Sequence, residues 1–476
     1  CSDQGQELIK KDIKEHNLNR IVVASCSPRL HEPTFRKTCE EAGLNKYLFE
    51  MANIREQCSW VHLHDRKAAT EKAKDLVKMA VAKAALLQPA EETEVPIIRR
   101  ALIIGGGVAG IQAALDLADT GYKVYLVEKE PSIGGMMARI DKTFPTMDCS
   151  ICILAPKMSD VGHHPNIELL ANSEVVDVKG YVGNFHVKVL KKPRYVKNDC
   201  TACGDCSEVC PVIAPNEFDA GLAIRHAIYT PFAQAVPSTY IIDMGICLNK
   251  DGVIVCDKCI KKCEKQAINF EMKPETIEFD VGTIIVAAGA DVFDPSALPN
   301  YGYGKHLNVI TSLEFERLIN AGGPSGGHLI RPSDMQIPER VAFVQCVGSR
   351  SEKSGRLYCS NVCCMNTIKD SLLIKEHWPE TEIYVFYVDI RAYGKGFEDL
   401  YKRARKEGVV FIRGLPAEII EDRKTHNLWL IGENTLQKEL YKINVDMAIL
   451  SVGLEPRKDS EIIQRLLTLS RTQDGF

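Results

Sequence analysis

No apolar run in this chain approaches the roughly eighteen residues that a helix needs to cross a bilayer. Nor does charge of one sign dominate, since 59 Lys and Arg stand against 63 Asp and Glu, a net charge of -4. The first absence argues against a membrane span, and the second removes the basic surface on which nucleic-acid binding depends. No leader segment is visible, so a cytoplasmic location is expected. The sequence opens on Cys1 and stops at Gly475-Phe476 without a polar tail, and residues are expected to be missing at both ends.

What the chain does have is cysteine, 18 residues of it. Disulfide staples serve small secreted domains with thin cores, and 476 residues suffice for two to four ordinary domains. Metal or redox chemistry is the better use of so many thiols.

Residues 1–95 read as a small α/β unit: a helix near Gly5–His16, a strand Ile21–Cys26, a loop with Pro28 and Pro33, and a long helix from His64 to Leu87. Residues 88–99, with Pro89 and Pro96, read as a linker. A β-α-β unit follows, with strand Ala101–Ile104, an apolar helix and strand Lys123–Val127. The expected division is a first flavin-binding part over 100–193, a cysteine-dense insertion over 194–273 and a continuation over 274–339. A second Rossmann-like part over 340–456 and a return over 457–476 complete it. The second part is marked by strand Val341–Gln345, helix Val362–His377 and strand Glu382–Val388. The apolar, glycine-ended stretches Asp280–Pro295 and Asp446–Pro456 resemble each other, which predicts two halves of one plan.

In "ALIIGGGVAG" the glycines Gly105, Gly107 and Gly110 form G-x-G-x-x-G between a strand and a helix that opens with Val108 and Ala109. Such a turn lets backbone approach a pyrophosphate at a helix N-terminus. Glu128, followed by Lys129, closes the second strand at the distance suited to a ribose hydroxyl. The Gly134-Gly135 pair resembles the second fingerprint of two-dinucleotide flavoproteins such as thioredoxin and glutathione reductases, and the later Ala288-Gly289 ends a strand of the same part. FAD is therefore expected here. The second unit's first loop, "QCVGSRSEKSGRLYCSNVCC", lacks a dinucleotide fingerprint and carries cysteines, which disfavours NADPH.

Cys200, Cys203, Cys206 and Cys210, followed by Pro211, spell the bacterial ferredoxin run C-x2-C-x2-C-x3-C-P. Its partner is Cys247, Cys256, Cys259 and Cys263, with eight residues between the first two. In such runs the fourth cysteine serves the neighbouring cluster. The crossed sets are Cys200, Cys203, Cys206 with Cys263, and Cys247, Cys256, Cys259 with Cys210. A structural zinc pair is the alternative. Cys346, Cys359, Cys363 and Cys364 predict a third four-iron cluster, against buried or redox-active thiols. Cys26 and Cys58 suggest an N-terminal cluster, completed by Cys1 and an upstream cysteine or by Cys149 and Cys152. The last two could instead be a C-x2-C redox disulfide. Cys39 reads as core.

With these residues in view the chain resembles the family of heterodisulfide reductase A subunits across essentially its whole length. The stretches that carry the resemblance are "CSDQGQELIKKDIKEH", "CSPRLHEPTFR", "LFEMANIREQCSWVH", "FPTMDCSICILAPKM", "AIYTPFAQAVPSTY", "VQCVGSR" and "DIRAYGKGFEDLY", besides the glycine region. The resemblance implies an α/β, thioredoxin-reductase-like FAD core with an inserted two-cluster ferredoxin domain, behind an N-terminal α/β cluster domain. It implies FAD and several 4Fe-4S clusters, and flavin-based electron bifurcation between ferredoxin and the disulfide of coenzymes M and B. The B and C subunits of heterodisulfide reductase, hydrogenase or formate dehydrogenase through a small iron-sulfur protein, ferredoxin and a second copy of the chain are the implied partners. Lys395 in "AYGKGFE" is a candidate for tuning the flavin, with a solvated loop lysine as the alternative. Other functional readings are a related component of a benzoyl-CoA-reductase, sulfate-reduction or quinone-linked complex, a relay without bifurcation, and an NADPH-dependent disulfide reductase.

Overall fold

The computed structural model describes residues 1–476 apart from 250–252 and 254, and divides the chain into two units, Cys1–Val95 and Pro96–Phe476. No helix among the described residues is long and apolar enough to cross a membrane.

The first unit packs three helices, α1 (Asp3–Glu15), α2 (Pro28–Glu41) and α3 (Arg66–Ala85), around two parallel strands, β1 (Ile21–Ser25) and β2 (Phe49–Asn53). Ile13, Phe35, Cys39, Phe49 and Met51 form its core, and Cys39 is fully buried there. The loop expected around Pro28 and Pro33 is α2. Pro28 opens the helix at a position whose N–H would be unpaired in any case. Pro33 forfeits a single intrahelical bond, which burial of Phe35, Thr38 and Cys39 offsets.

In the second unit, β3 (Arg100–Ile104), β4 (Lys123–Val127) and β5 (Ile167–Leu170) form a parallel sheet with a later strand, β13 (Thr283–Val286), in the order β13-β3-β4-β5. Helices α4 (Val108–Asp119) and α5 (Ser150–His163) cover one face through Ile111, Leu115, Leu154 and Met158. An antiparallel layer of β6 (Ser173–Tyr181), β7 (Asn184–Lys191) and β12 (Glu275–Val281) covers the other.

The cysteine-dense segment enters between β7 and β12, whose ends Lys191 and Glu275 are direct partners in the ladder. It holds two short helices, α6 (Asp205–Glu208) and α7 (Lys258–Lys262). It also holds two small antiparallel pairs, β8 (Ile213–Pro215) with β9 (Ile224–His226) and β10 (Ile228–Tyr229) with β11 (Ile241–Ile242).

The second half repeats the layering of the first. A parallel sheet of β15 (Val309–Thr311), β16 (Arg340–Val347), β17 (Glu382–Tyr387), β18 (Val410–Arg413) and β22 (Met447–Val452) runs β15-β22-β16-β17-β18. Helices α8 (Ser312–Ile319), α9 (Cys363–His377) and α10 (Phe397–Lys406) contribute Phe315, Ile368, Leu372 and Leu400 to one face. Three antiparallel strands, β19 (Pro416–Glu421), β20 (Leu428–Asn434) and β21 (Glu439–Val445), contribute Ile419, Leu428, Leu430 and Val445 to the other. Past the resembling strands β13 and β22, the chain forms β14 (Asp291–Val292) and β23 (Leu454–Glu455), which pair with each other and join the halves. A last helix, α11, spans Ser460–Leu467.

Candidate cofactor and cluster sites

The dinucleotide loop lies where β3 meets α4. Gly105 has a φ of +109°, and a Cβ there would stand 2.4 Å from the Ala287 carbonyl oxygen. A Cβ on Gly110 would stand 1.9 Å from the Gly105 carbonyl oxygen, so the helix presses directly on the turn. Gly107, in contrast, faces open space at the start of α4, ahead of Val108 and Ala109, and the first N–H groups of a helix have no partners within it. The second glycine pair folds over this loop. Gly134 N–H donates to the Gly106 carbonyl at 2.7 Å, and a Cβ on Gly135 would come within 2.9 Å of the Gly107 Cα. Ala288 and the open Gly289 follow β13 along the same edge.

Glu128 is buried beneath the turn. Its carboxylate accepts from the N–H of Gly106 at 2.5 Å and of Glu130 at 2.8 Å. Burial pushes this carboxyl upward, against those two donors. Lys129 pairs with Asp459 at 2.7 Å and Arg457 with the same carboxylate at 3.0 Å, so the returning segment closes this edge. Sequence spacing could not reveal that pairing, because Lys129 and Asp459 are 330 residues apart. The open glycine surface, the unpaired helix N-terminus and the flanking charges suit a dinucleotide pyrophosphate.

The insertion gathers its eight cysteines in two places. Cys210, Cys247, Cys256 and Cys259 line one cavity, together with Pro211, Val212, Ile228 and Ile242. The Asn249 side chain clips this wall by accepting from the N–H groups of Val255 and Cys256, each at 2.8 Å, and donating to the Cys256 carbonyl at 2.7 Å. Part of the stretch between Cys247 and Cys256 lies outside the described residues. Cys206 is buried, and burial followed by the neighbouring thiols of Cys200, Cys203, Cys259 and Cys263 pushes it up to about 12. Cys259 is pushed up to about 11 by burial and by Cys247, Cys256 and Cys210. Crowded thiols of this kind become thiolates only against a strongly positive core. Backbone N–H groups point at the sulfurs of Cys200, from Ala202 at 3.4 Å, and of Cys263, from Ala267 at 3.3 Å.

Four thiolates bound to one zinc ion lie within about 3.8 Å of one another. Among the described residues no three of these sulfurs come within 4.8 Å of each other, a spread that suits the larger body of a four-iron cluster.

Cys346, Cys359, Cys363 and Cys364 line a further cavity with Ser349, Ser360, Asn361, Arg350 and Arg391. Cys346 is the penultimate residue of β16 and has a φ of +57°, a strained region for a side chain with a Cβ. Burial, then the neighbouring Cys364, pushes its thiol up to about 12, with Arg350 opposing. Cys363 and Cys364 open α9, and the N–H of Asn361 donates to the Cys359 sulfur at 3.4 Å. Asp389 holds Arg350 at 2.5 Å and Arg391 at 2.9 Å, fixing both guanidinium groups at the rim.

In the first unit, Cys26 follows β1, and buried Cys58 follows β2, at the same end of the two-stranded sheet because Ser25 pairs with Asn53. Cys58 donates to the Ala69 carbonyl at 3.0 Å, and Cys1 is exposed ahead of α1. Cys149 and Cys152 are joined to each other in a disulfide. Neither sulfur is then a thiolate that could hold iron, which corrects their placement among the cluster ligands in favour of the redox-pair alternative. Lys395 is exposed in the loop ahead of α10, where Gly396 and Phe397 rest on Pro145 and Phe144.

Similarity to known proteins runs the same way. A family model described as FAD dependent oxidoreductase matches residues 101–144. The chain is 59% identical to the iron-sulfur A subunit 2 of the CoB–CoM heterodisulfide reductase of Methanopyrus kandleri, over all of this chain and 72% of that protein. It is 57% identical, with the same coverage, to the A subunit of the H(2):CoB-CoM heterodisulfide,ferredoxin reductase of Methanothermobacter thermautotrophicus. Thioredoxin reductase of Lactococcus lactis is similar in structure at a TM-score of 0.40 and 15% identity, over 78% of this chain and 81% of that one.

Fold and sites together define an oxidoreductase of the iron-sulfur flavoprotein class. More narrowly, the chain belongs to the family of heterodisulfide reductase A subunits.

Proposed function

We propose that this chain carries electrons through FAD and several 4Fe-4S clusters as the flavin-bearing A subunit of a cytoplasmic heterodisulfide reductase complex. In that complex, reduction of the coenzyme M–coenzyme B disulfide by partner subunits is coupled to reduction of ferredoxin. The observation that carries the reading is the juxtaposition, within one unit, of a dinucleotide loop and three separate cysteine sets. FAD supplies the exchange between two-electron and one-electron steps.

The protein's own residues bind and orient. Gly105, Gly107 and Gly110 with the α4 N-terminus receive the pyrophosphate, Gly134, Gly135, Ala288 and Gly289 flank it, and Glu128 faces the ribose. Cys200, Cys203, Cys206 and Cys263 hold one cluster of an inserted ferredoxin domain, and Cys210, Cys247, Cys256 and Cys259 hold the other. Cys346, Cys359, Cys363 and Cys364 hold a third where a relative would bind NADPH, and Cys1, Cys26 and Cys58 contribute to an N-terminal one. The assembly includes the B and C subunits, a second copy of the chain, and a hydrogenase or formate dehydrogenase joined through a small iron-sulfur protein.

The test is ferredoxin reduction by the anaerobically purified complex, supplied with hydrogen or formate. Reduction is expected only while the heterodisulfide is also being consumed. Equal ferredoxin reduction without heterodisulfide would identify a simple relay and overturn the coupled reading. Lys395→Ala is expected to shift the flavin potential; unchanged potential and coupling would make it an ordinary surface lysine.

A further inference from the structure

The interior of the second half contains a group of charges that cluster ligation does not use. Lys369 and Asp370, midway along α9, are fully buried, and Glu316 on α8 is 1% exposed. Lys369 donates to Glu316, and its Nζ lies 3.0 Å from Asp370 Oδ1 without hydrogen-bond alignment, so that oxygen has no hydrogen-bond partner. Asn366 donates to the other Asp370 oxygen at 2.8 Å. Two carboxylates and one ammonium leave an excess negative charge in a water-excluded core, at a cost of several kcal/mol that one bound proton removes.

The group neighbours a pocket open to solvent. Glu316 accepts from the Asp141 N–H at 2.8 Å, and Asp141 lines an open pocket with His328, His377 and Trp378. At the rim, Lys142 pairs with Glu376 at 3.7 Å, and Asn320 donates to the Asp141 carboxylate at 3.0 Å. Beside Glu316, Arg317 is taken up by Asp219 at 3.0 Å. Neutral polar groups lie nearby in the core: buried Gln345 on β16 has neither amide atom bonded, Ser371 on α9 is likewise unbonded, and Ser451 on β22 pairs with Thr367 on α9 at 2.7 Å. Helix α10 presents Leu400 and Ala404 to the core, and its charged residues are exposed.

This polar row follows the helix that begins with Cys363 and Cys364. Six residues of helix separate Cys364 from Asp370, roughly 9 Å along the axis. At that distance, in a medium of low dielectric, one added electron at the four cysteines acts strongly on a buried carboxylate.

We infer that Glu316 and Asp370, bridged by Lys369, form a proton-binding site whose occupancy follows the charge on the cluster held by Cys346, Cys359, Cys363 and Cys364. The inference rests on the proposed assignment of that cluster. As one electron arrives at the four cysteines from the flavin or a neighbouring cluster, one proton is taken up from solvent onto a carboxylate oxygen of Glu316 or Asp370. The interior charge is thereby unchanged, and reoxidation releases the proton. Burial raises the Asp370 carboxyl well above its ordinary range, and Glu316 raises it further, against the opposing charge of Lys369.

The experiment is an EPR-monitored redox titration of the holo-complex between about pH 6 and pH 9. One proton per electron gives a tenfold change per pH unit, or about 59 mV. The wild-type potential is expected to fall with pH toward that slope, and the slope to flatten in Asp370→Asn and in Glu316→Gln. A pH-independent wild-type potential, or a full slope kept in both variants, would overturn the inference. Redox-difference infrared spectra provide a reading that needs no variant. A carboxyl band sensitive to deuterium oxide should accompany reduction, and its absence also overturns the inference. Cys364→Ser separates the two levels: if the cluster signal survives intact, the ligand assignment is what fails.

Discussion

At the scale of residues, the glycine turn and the cysteine sets make the sharpest predictions. Gly105→Ala places a methyl group against the Ala287 carbonyl at a φ that only glycine adopts freely, so flavin content should fall severalfold while cluster iron remains. Paired flavin and iron analysis checks it. Asp389 offers a pH test. Arg391, then Arg350, hold its carboxyl below the usual range, against burial. A depressed folded value means that the ion pairs contribute fully above the unfolded pKa of about 3.9 and are lost as pH falls through the folded one. Absorbance of the cluster proposed at Cys346, Cys359, Cys363 and Cys364 should therefore bleach faster under acid as Asp389 protonates, and Asp389→Asn should already show the faster loss at neutral pH.

These residues were legible because their chemistry is local. A fingerprint spans six positions, and each cysteine run declares itself by spacing. The Lys369 group was not legible, because its partners Glu316 and Asp141 are distant in sequence and a lysine-aspartate pair inside a helix reads as a solvated face. The disulfide between Cys149 and Cys152 was one of two readings that C-x2-C spacing permits, and spacing alone could not choose.

At the scale of elements, periodicity found the buried strands and the long helices, since β3, β4, β16 and β17 are apolar runs that a parallel sheet buries on both faces. It missed α2, where two prolines argued for a loop, and it missed β19, β20 and β21, whose outward-facing charges dilute the alternation. Helix α8 carries a capping box in which Thr311 accepts from the Glu314 N–H at 3.2 Å and the Glu314 side chain accepts from the Thr311 N–H at 2.6 Å. Thr311→Ala should cost about 1 kcal/mol, read as a lower denaturation midpoint of the second half with cluster content unchanged.

At the scale of the whole molecule, the insertion is separable in one respect and anchored in another. Since Lys191 and Glu275 face each other in the ladder, a short turn in place of residues 194–273 would close a continuous hairpin. The cut also removes Asp219, leaving the 3%-exposed side chain of Arg317 without its partner, a loss of about 3–5 kcal/mol. The shortened chain should fold poorly alone but recover flavin binding, without the two clusters proposed for the insertion, when Arg317→Met accompanies the deletion. Thermal melts and iron-to-flavin ratios distinguish the two.

The short ladder between β14 and β23 has a consequence for traffic through the molecule. One strand leaves the Ala288-Gly289 edge, the other leaves Val452, whose carbonyl accepts from the Cys363 thiol at 3.6 Å. The strand that leaves the flavin edge and the strand that leaves the cavity of Cys363 therefore meet in one ladder of two residue pairs, Asp291 with Glu455 and Val292 with Leu454, so a change at either end of the ladder has a direct backbone connection to the other.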